Sequence, residues 1–291
     1  MTEKTGKIAF QGELGANSHI ACKQAFPELE PLPCRTFDAA LSAISEGRAD
    51  IGMIPIENSV AGRVGDIHHL LPGAGLYIQG EYFLPLHHQL LGLKGAKLED
   101  IKTIHSHIVA LGTCRNVIKQ LDLEPVVAVD TAAAANMVSQ ANDPSMAAIA
   151  STLAAEVYGL DILKENIEDE DHNTTRFLIL SNEPEDAEPD EEHVVTSFIF
   201  KVRNVPAALY KALGGFATNG VNVTKLESYQ LEGAFTATQF YADIEGHPSN
   251  RSVRLALEEL QFYTTELNVL GIYKAHPFRI AQRSSSDQQN A

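Results

Sequence analysis

Residues 1 to 180 alternate short apolar runs with segments of helical period, and no other feature restricts the fold as tightly. KIAF is followed by ANSHIACKQAF, PLPC by FDAALSAISEGRA, and DIGMIPI closes the first set, with glycine and proline as punctuation. Short runs without a polar break suit strands buried on both faces, and the intervening helices are what cover those faces. The pattern therefore predicts parallel sheets between helical layers. It resumes at IKTIHSH and VALGTCRNVIKQL, passes through PVVAVD, TAAAANMVSQA, MAAIA and STLAAEVYGL, and ends at TRFLILS. LYIQGEYFLPLHHQLLGL reads as extended chain crossing between the halves. Two α/β lobes with a cleft between them are expected over residues 1–181.

The stretch SNEPEDAEPDEEH is acidic, carries prolines and lacks apolar periodicity, so residues 182–193 are expected to form a solvated linker. Beyond it, over residues 194–279, the order strand, helix, strand, strand, helix, strand predicts an α+β ferredoxin-like sandwich with a hairpin about Glu232-Gly233. Leu209, Leu213 and Phe216 fall at i, i+4 and i+7 and make one apolar stripe to lay on a sheet. Residues 280–291 show no such pattern and are expected to be a disordered tail.

Hydrophobic residues make up 44% of the 291-residue chain and charged residues 21%, the composition of a folded globular protein. A net charge of -16 disfavours nucleic acid and anionic membranes as partners, because a polyanion needs a concentrated basic face. No stretch approaches the ~20 apolar residues of a membrane span, and MTEKTGKIAF lacks the apolar run of a secretory signal. A cytoplasmic chain is expected. Cys22, Cys34 and Cys114 have no CxxC spacing and suit free thiols in a reducing compartment.

Four polar clusters stand where a strand pattern gives way to a turn or helix, which is where open α/β sheets bind ligands. In GELGANS, Asn17 and Ser18 either accompany backbone donors that meet an anion at a helix start, or simply cap that helix. In PIENS, Glu57, Asn58 and Ser59 offer an acceptor and several donors after a buried strand; the alternative is an Asx turn. In HSHIVALGTC, His107 is able to give a hydrogen bond or a proton near neutral pH, while Ser106 is alternatively a helix cap. Cys114 reads as a buried core thiol rather than a nucleophile. In HNTTRF, strand alternation sets Thr175 and Phe177 on one face and Thr174 and Arg176 on the other, unless the strand begins later or bulges. Arg176 is then either a carboxylate clamp or the partner of an acid in the preceding EDED run. The pairs His68-His69 and His87-His88, read as strand residues pointing to opposite faces, lack HExxH or a carboxylate triad. No metal and no cofactor are expected.

Together these marks resemble the prephenate dehydratase family, in its monofunctional type with a C-terminal ACT regulatory domain. PIENS at 55–59, the SHxxALxxC frame at 106–114, TRF at 175–177 and PAALYKALGGFATNGVNVTKLES carry the likeness, which runs from the first strand to about Phe278. The resemblance implies lobes like those of type II periplasmic binding proteins, with prephenate between them converted to phenylpyruvate, carbon dioxide and water. Thr175 is then expected to hydrogen-bond the departing hydroxyl, with His107 or a water supplying the proton. Asn17, Ser18, Asn58, Ser59, Ser106, Thr174, Arg176 and Phe177 are expected around the substrate, and Arg176 on a carboxylate. The resemblance further implies L-phenylalanine as an allosteric inhibitor at an ACT interface of a homodimer or homotetramer. Asn204, Ala207, Ala208, Leu209, Asn222, Glu227 and Ser228 are the expected effector residues; otherwise Leu209 is plain core and Glu227 a strand-surface charge.

Three departures stand out. The family's SHPQALxQC has Ile108-Val109 and Thr113 here, its GALxxxL starts with Ala207, and its ESRP ends in Tyr229-Gln230. No segment resembles chorismate mutase, so no mutase activity is expected. The competing class is a non-catalytic small-molecule binding or sensor protein.

Overall fold

The computed structural model describes residues 6–230 and 237–282. In chain order the first lobe takes β1 (Lys7–Gln11), α1 (Asn17–Ala25), β2 (Glu30–Cys34), α2 (Phe37–Ser45), β3 (Ile51–Asn58), β4 (Gly62–Arg63), α3 (Gly65–Leu70) and β5 (Tyr77–Pro85). The second takes β6 (Gln89–Gly92), β7 (Thr103–Ser106), α4 (Ile108–Thr113), α5 (Arg115–Gln120), β8 (Glu124–Val127), α6 (Thr131–Ala141), β9 (Met146–Ala150), α7 (Thr152–Tyr158) and β10 (Asp161–Lys164). The chain then returns through β11 (Thr174–Ser181), so that the sheets run β2-β1-β3-β11-β5 and β10-β6-β9-β7-β8.

The unbroken apolar runs become central strands. Ile8, Ala9 and Phe10 on β1 and Ala147 to Ala150 on β9 are wholly buried, and β1 lies parallel to both β2 and β3. Helix starts follow from short polar side chains at the strand ends: Thr36 Oγ1, Asp130 Oδ1 and Ser151 Oγ accept from Ala39 N, Ala133 N and Ala154 N.

The all-parallel expectation needs correction in the second lobe. β8, β7 and β9 are parallel, but β6 pairs antiparallel with β9 and β10 antiparallel with β6. A parallel neighbour needs a long crossover, and β6 instead enters its sheet straight from the other lobe with no helix to reverse it. VALGTCRNVIKQL, expected as one helix, is two: Cys114 at φ -126 and ψ 31 separates α4 from α5. The cause is Asp169, whose N–H donates to Thr113 O (2.7 Å) while its carboxylate accepts from Arg115 N (2.9 Å) and Asn116 N (3.0 Å). His68 and His69 lie on α3 rather than on a strand, so the alternation argument does not apply to them.

The chain forms two compact units, one from residues up to His68 together with Tyr82–Phe177, the other from His69–Glu81 together with the chain from Leu178 onward. Within the second unit, β12 (Val194–Val202), α8 (Ala208–Thr218), β13 (Val223–Gln230), β14 (Ala237–Glu245), α9 (Arg251–Tyr263) and β15 (Thr264–Lys274) build an antiparallel sheet of order β13-β14-β12-β15, the ferredoxin-like arrangement. Phe198, Phe200, Phe216, Phe240 and Leu260 fill its core, and Leu209 and Leu213 pack against them as the stripe predicts. The turn at Glu232-Gly233 lies outside the described residues. Residues 277–282 are helical, so the expected tail begins later than residue 280; its remainder lies outside the described residues. Arg279 anchors this last helix by a two-bond fork onto Glu81, Nε to Oε1 at 2.8 Å and NH2 to Oε2 at 2.7 Å.

Candidate active site

A cleft of about 520 Å³ opens at the carboxyl ends of β1 and β3 and at the start of β11. The first lobe lines it with Gly12, Asn17, Ser18, Asn58 and Arg63, and the second with His107, Val109 and Asp130. The chains that cross between the lobes contribute Leu86, His88, Asn173, Thr175 and Phe177.

β11 begins at Thr174, so alternation holds from its first residue. Thr175 and Phe177 line the cleft, whereas Arg176 does not. Its guanidinium, 3% exposed, lies 2.9 Å from Glu57 Oε1. The expected carboxylate clamp is thus turned out of the cleft, and the acid it meets belongs to PIENS, not to the EDED run. Thr174 and Ser59 also stay outside the cleft lining and form a latch. Thr174 N donates to Ser59 Oγ (2.8 Å), Ser59 Oγ donates to His172 O (2.7 Å), and Ser59 N donates to Thr174 O (2.9 Å).

Asn58 forms the Asx turn, and its amide is committed to protein groups rather than held out to a ligand. Its Oδ1 closes an Asx turn by accepting from Val60 N (3.0 Å) and Ala61 N (2.8 Å). That fixes which end of the amide donates, and Nδ2 reaches Asn173 Oδ1 (2.7 Å) and Thr175 Oγ1 (3.0 Å). Because Thr175 Oγ1 accepts from Asn58, the hydroxyl keeps its own proton to give.

On the facing lobe, Ser106 is neither a cap nor a cleft residue. It is wholly buried, and Oγ donates to Ile149 O at 2.7 Å. His107 takes the cap, accepting at Nδ1 from Val109 N (3.3 Å), which leaves the proton of the neutral ring on Nε2. Cys114 is wholly buried and its thiol is pushed up to about 12 by burial, a core residue as expected.

Asn17 and Ser18 are the first residues of α1 rather than its caps. Ala16 holds the cap position without a side-chain bond, so the start of this nine-residue helix meets the cleft uncapped. The rest of GELGANS clasps the second lobe: Tyr158 OH donates to Leu14 O (2.8 Å) and Ser151 Oγ to Gly15 O (2.6 Å). Gly15 is at φ +92, and a Cβ there would come 2.8 Å from Ala154 Cα, so only glycine permits this approach.

Three cleft residues escaped the sequence reading. Arg63, opposite Glu57 in register, had no motif around it. Asp130 stands at a strand-to-helix turn like the four noted clusters, and the VDTAAAAN pattern was a usable signal. Burial raises its carboxyl, against the pull of the Ala133 N–H. His88 was set aside with its neighbour as a non-ligand.

In the second unit, Asn204, Ala207 and Ala208 occupy the turn into α8, where Ala207 is left-handed at φ +60 and caps without a side-chain bond. Leu209 belongs with the apolar core, Asn222 precedes β13, and Glu227 and Ser228 lie on β13. Glu227 Oε1 is 3.2 Å from Lys225 Nζ. Among the described residues no three His, Cys, Asp or Glu side chains gather as metal ligands, and no helix is long and apolar enough to cross a membrane.

A family profile described as prephenate dehydratase matches residues 8–185. A bifunctional N-acyl-homoserine lactone acylase/prephenate dehydratase of Komagataeibacter europaeus is 52% identical over 94% of this chain and 97% of its own length. The chloroplastic arogenate dehydratase/prephenate dehydratase 1 of Arabidopsis thaliana is 39% identical over 92% of this chain and 71% of its own. Among solved structures, prephenate dehydratase of Arthrobacter aurescens in complex with L-Phe superposes with a TM-score of 0.84 at 28% identity, covering 98% of this chain and all of that one.

Proposed function

Because the chain belongs to the prephenate dehydratase family, we propose that it converts prephenate to phenylpyruvate in the cleft between its lobes. The observation that carries this reading is the Thr175 hydroxyl, 8% exposed, held by Asn58 with its own proton uncommitted. In this reaction the ring carbon–hydroxyl bond breaks, and the ring carboxylate departs as carbon dioxide. The electron pair of the ring carbon–carboxylate bond completes the aromatic ring, and the hydroxyl leaves with its own bonding pair and takes up a proton to become water. Aromatisation drives the step, so catalysis reduces to holding two carboxylates and protonating one leaving group.

Thr175 hydrogen-bonds the departing hydroxyl and orients it. A threonine hydroxyl is too weak an acid to be the source of the proton, and so is a neutral imidazole; a water supplies it, or His107 when its ring carries a second proton in place of the Val109 N–H bond. The carboxylates are assigned to the uncapped start of α1 near Asn17 and Ser18 and to Arg63, in place of Arg176. An uncapped helix start offers several N–H donors and a favourable dipole to an anion. The donors stand in place before substrate arrives, which is the form of electrostatic help that costs no reorganisation.

We read the second unit as an ACT domain that binds L-phenylalanine, as supported by its ferredoxin-like order and by the L-Phe complex of the Arthrobacter relative. The start of α8 would take the effector's carboxylate and Glu227 its ammonium, in a homodimer or homotetramer, and we place the protein in the cytoplasm. The inhibitor must bind one arrangement of the enzyme better than another, since equal affinity shifts nothing.

Incubation of the purified protein with prephenate, followed by detection of phenylpyruvate, tests the reading; absence of turnover sinks it and favours the binding-protein class. A second reading, hydrolysis of an N-acyl-homoserine lactone, is favoured by the Komagataeibacter relative and by the apolar residues Val109 and Val129 of the cleft, 42% and 83% exposed. Release of homoserine lactone from an acylated substrate is the assay for it.

A further inference from the structure

Of the polar side chains that line the cleft, His88 is the most deeply buried, at 3% exposure. Its backbone is committed to the fold: N donates to Glu168 Oε2 (2.8 Å) and O accepts from Ile167 N (2.9 Å). Its ring is not. Nδ1 is sealed from solvent with no hydrogen-bond partner, and among the described residues nothing bonds Nε2. A buried polar atom without a partner is rare enough in folded proteins to need a reason.

The reason follows from protonation. Burial lowers the affinity of the ring for a proton, against the attraction of Glu168 and with the help of the neighbouring His87. His107, Asp66, Asp130 and Arg63 are the other charged or titratable groups around the cleft. A neutral imidazole carries one N–H, and a sealed nitrogen tolerates a bare lone pair better than an orphaned donor. The proton therefore sits on Nε2, the nitrogen not sealed off, on a ring that lines the cleft.

We propose that His88 is a neutral hydrogen-bond donor to the bound substrate, its Nε2–H received by a carboxylate oxygen. The identity of that substrate rests on the dehydratase reading. A neutral imidazole is far too weak an acid to surrender its proton, so His88 positions the anion and does not protonate the leaving group. The role differs from that of His107, whose Nδ1 is already occupied by a backbone donor.

The parent, His88→Gln and His88→Leu proteins are compared with prephenate, and each is melted. Glutamine places an amide N–H near the position of Nε2, whereas leucine keeps bulk and removes the donor. The leucine variant should lose roughly 10- to 100-fold in kcat/KM, largely through KM, as expected for a hydrogen bond to a charged group. Glutamine should recover most of that loss, with melting temperatures close to the parent. Leucine at the parent rate overturns the proposal, and so does glutamine as impaired as leucine with both destabilised, the behaviour of a packing spacer. Should the leucine variant not fold, NMR of the parent with isotope-labelled histidine decides: the His88 Nε2–H resonance must shift on titration with a non-aromatising prephenate analogue that keeps both carboxylates, and an unmoved signal overturns the assignment. A parent protein that leaves prephenate untouched refutes the dehydratase reading instead, so the two failures are told apart by which protein fails.

Discussion

The turn that opens β11 and the turn that opens α8 are both short, and both carry residues expected to meet a ligand, yet they are built differently. At the first, Ser59, Asn58 and Asn173 tie His172, Thr174 and Thr175 into one network, and the cleft-facing hydroxyl is oriented by the protein's own hydrogen bonds. At the second, the cap residue Ala207 makes no side-chain bond and sits in a left-handed conformation that costs an alanine about 1–2 kcal/mol. Chemistry on a substrate rewards geometry prepared in advance. A turn that carries strain instead is held in place by what surrounds it.

The sharpest way to break this comparison is Thr175→Ala. Losing the positioned hydroxyl should lower kcat for phenylpyruvate formation by about 10²- to 10³-fold, with far-ultraviolet circular dichroism unchanged and Thr175→Ser retaining more. Glu57→Ala should act on the other face of the same strand, removing one carboxylate from the buried Arg176 guanidinium and lowering stability in urea by up to about 3 kcal/mol. If that variant lost activity without losing stability, the separation of the two faces of β11 would be wrong. Ser59→Ala opens the latch on an exposed side chain. It should cost about 1 kcal/mol and reduce turnover by less than Thr175→Ala does. The smallest effect belongs to the other turn: Ala207→Gly relieves a left-handed alanine and should raise the urea midpoint by at most about 1 kcal/mol in stability, with turnover in the absence of effector unaltered. A destabilised glycine variant would show that the turn is not strained.

How far these features could be read beforehand depends on the range of the interaction behind them. Thr175 and Phe177 on one face, Arg176 on the other, and the stripe of Leu209, Leu213 and Phe216 all follow from a period of two or of about four residues, which is local information. The partner of Arg176 is 119 positions away, and so had no local trace. The same holds for the break between α4 and α5, imposed by an aspartate 53 residues beyond Asn116. Asp130 was visible as a helix cap and passed over because it lacked a motif. The antiparallel entry of β6 depends on the route of the chain between lobes, which apolar periodicity does not encode. Each polar motif places some residue on the cleft, among them Asn17, Asn58, His107 and Thr175, but only a folded backbone distinguishes Asn58, which faces it, from Ser59, which braces the loop behind.

Residues His69–Glu81 belong with the unit completed by Leu178 and everything after it, although they are synthesised within the first. A ribosome therefore releases this segment long before the strands it packs with exist, and the nascent chain must carry it unsatisfied. Cutting at the acidic stretch near residue 182 would not separate the two compact units. One product would keep a stranded piece of the other, and the sensible excision would be a graft that moves 69–81 with its late-made partners.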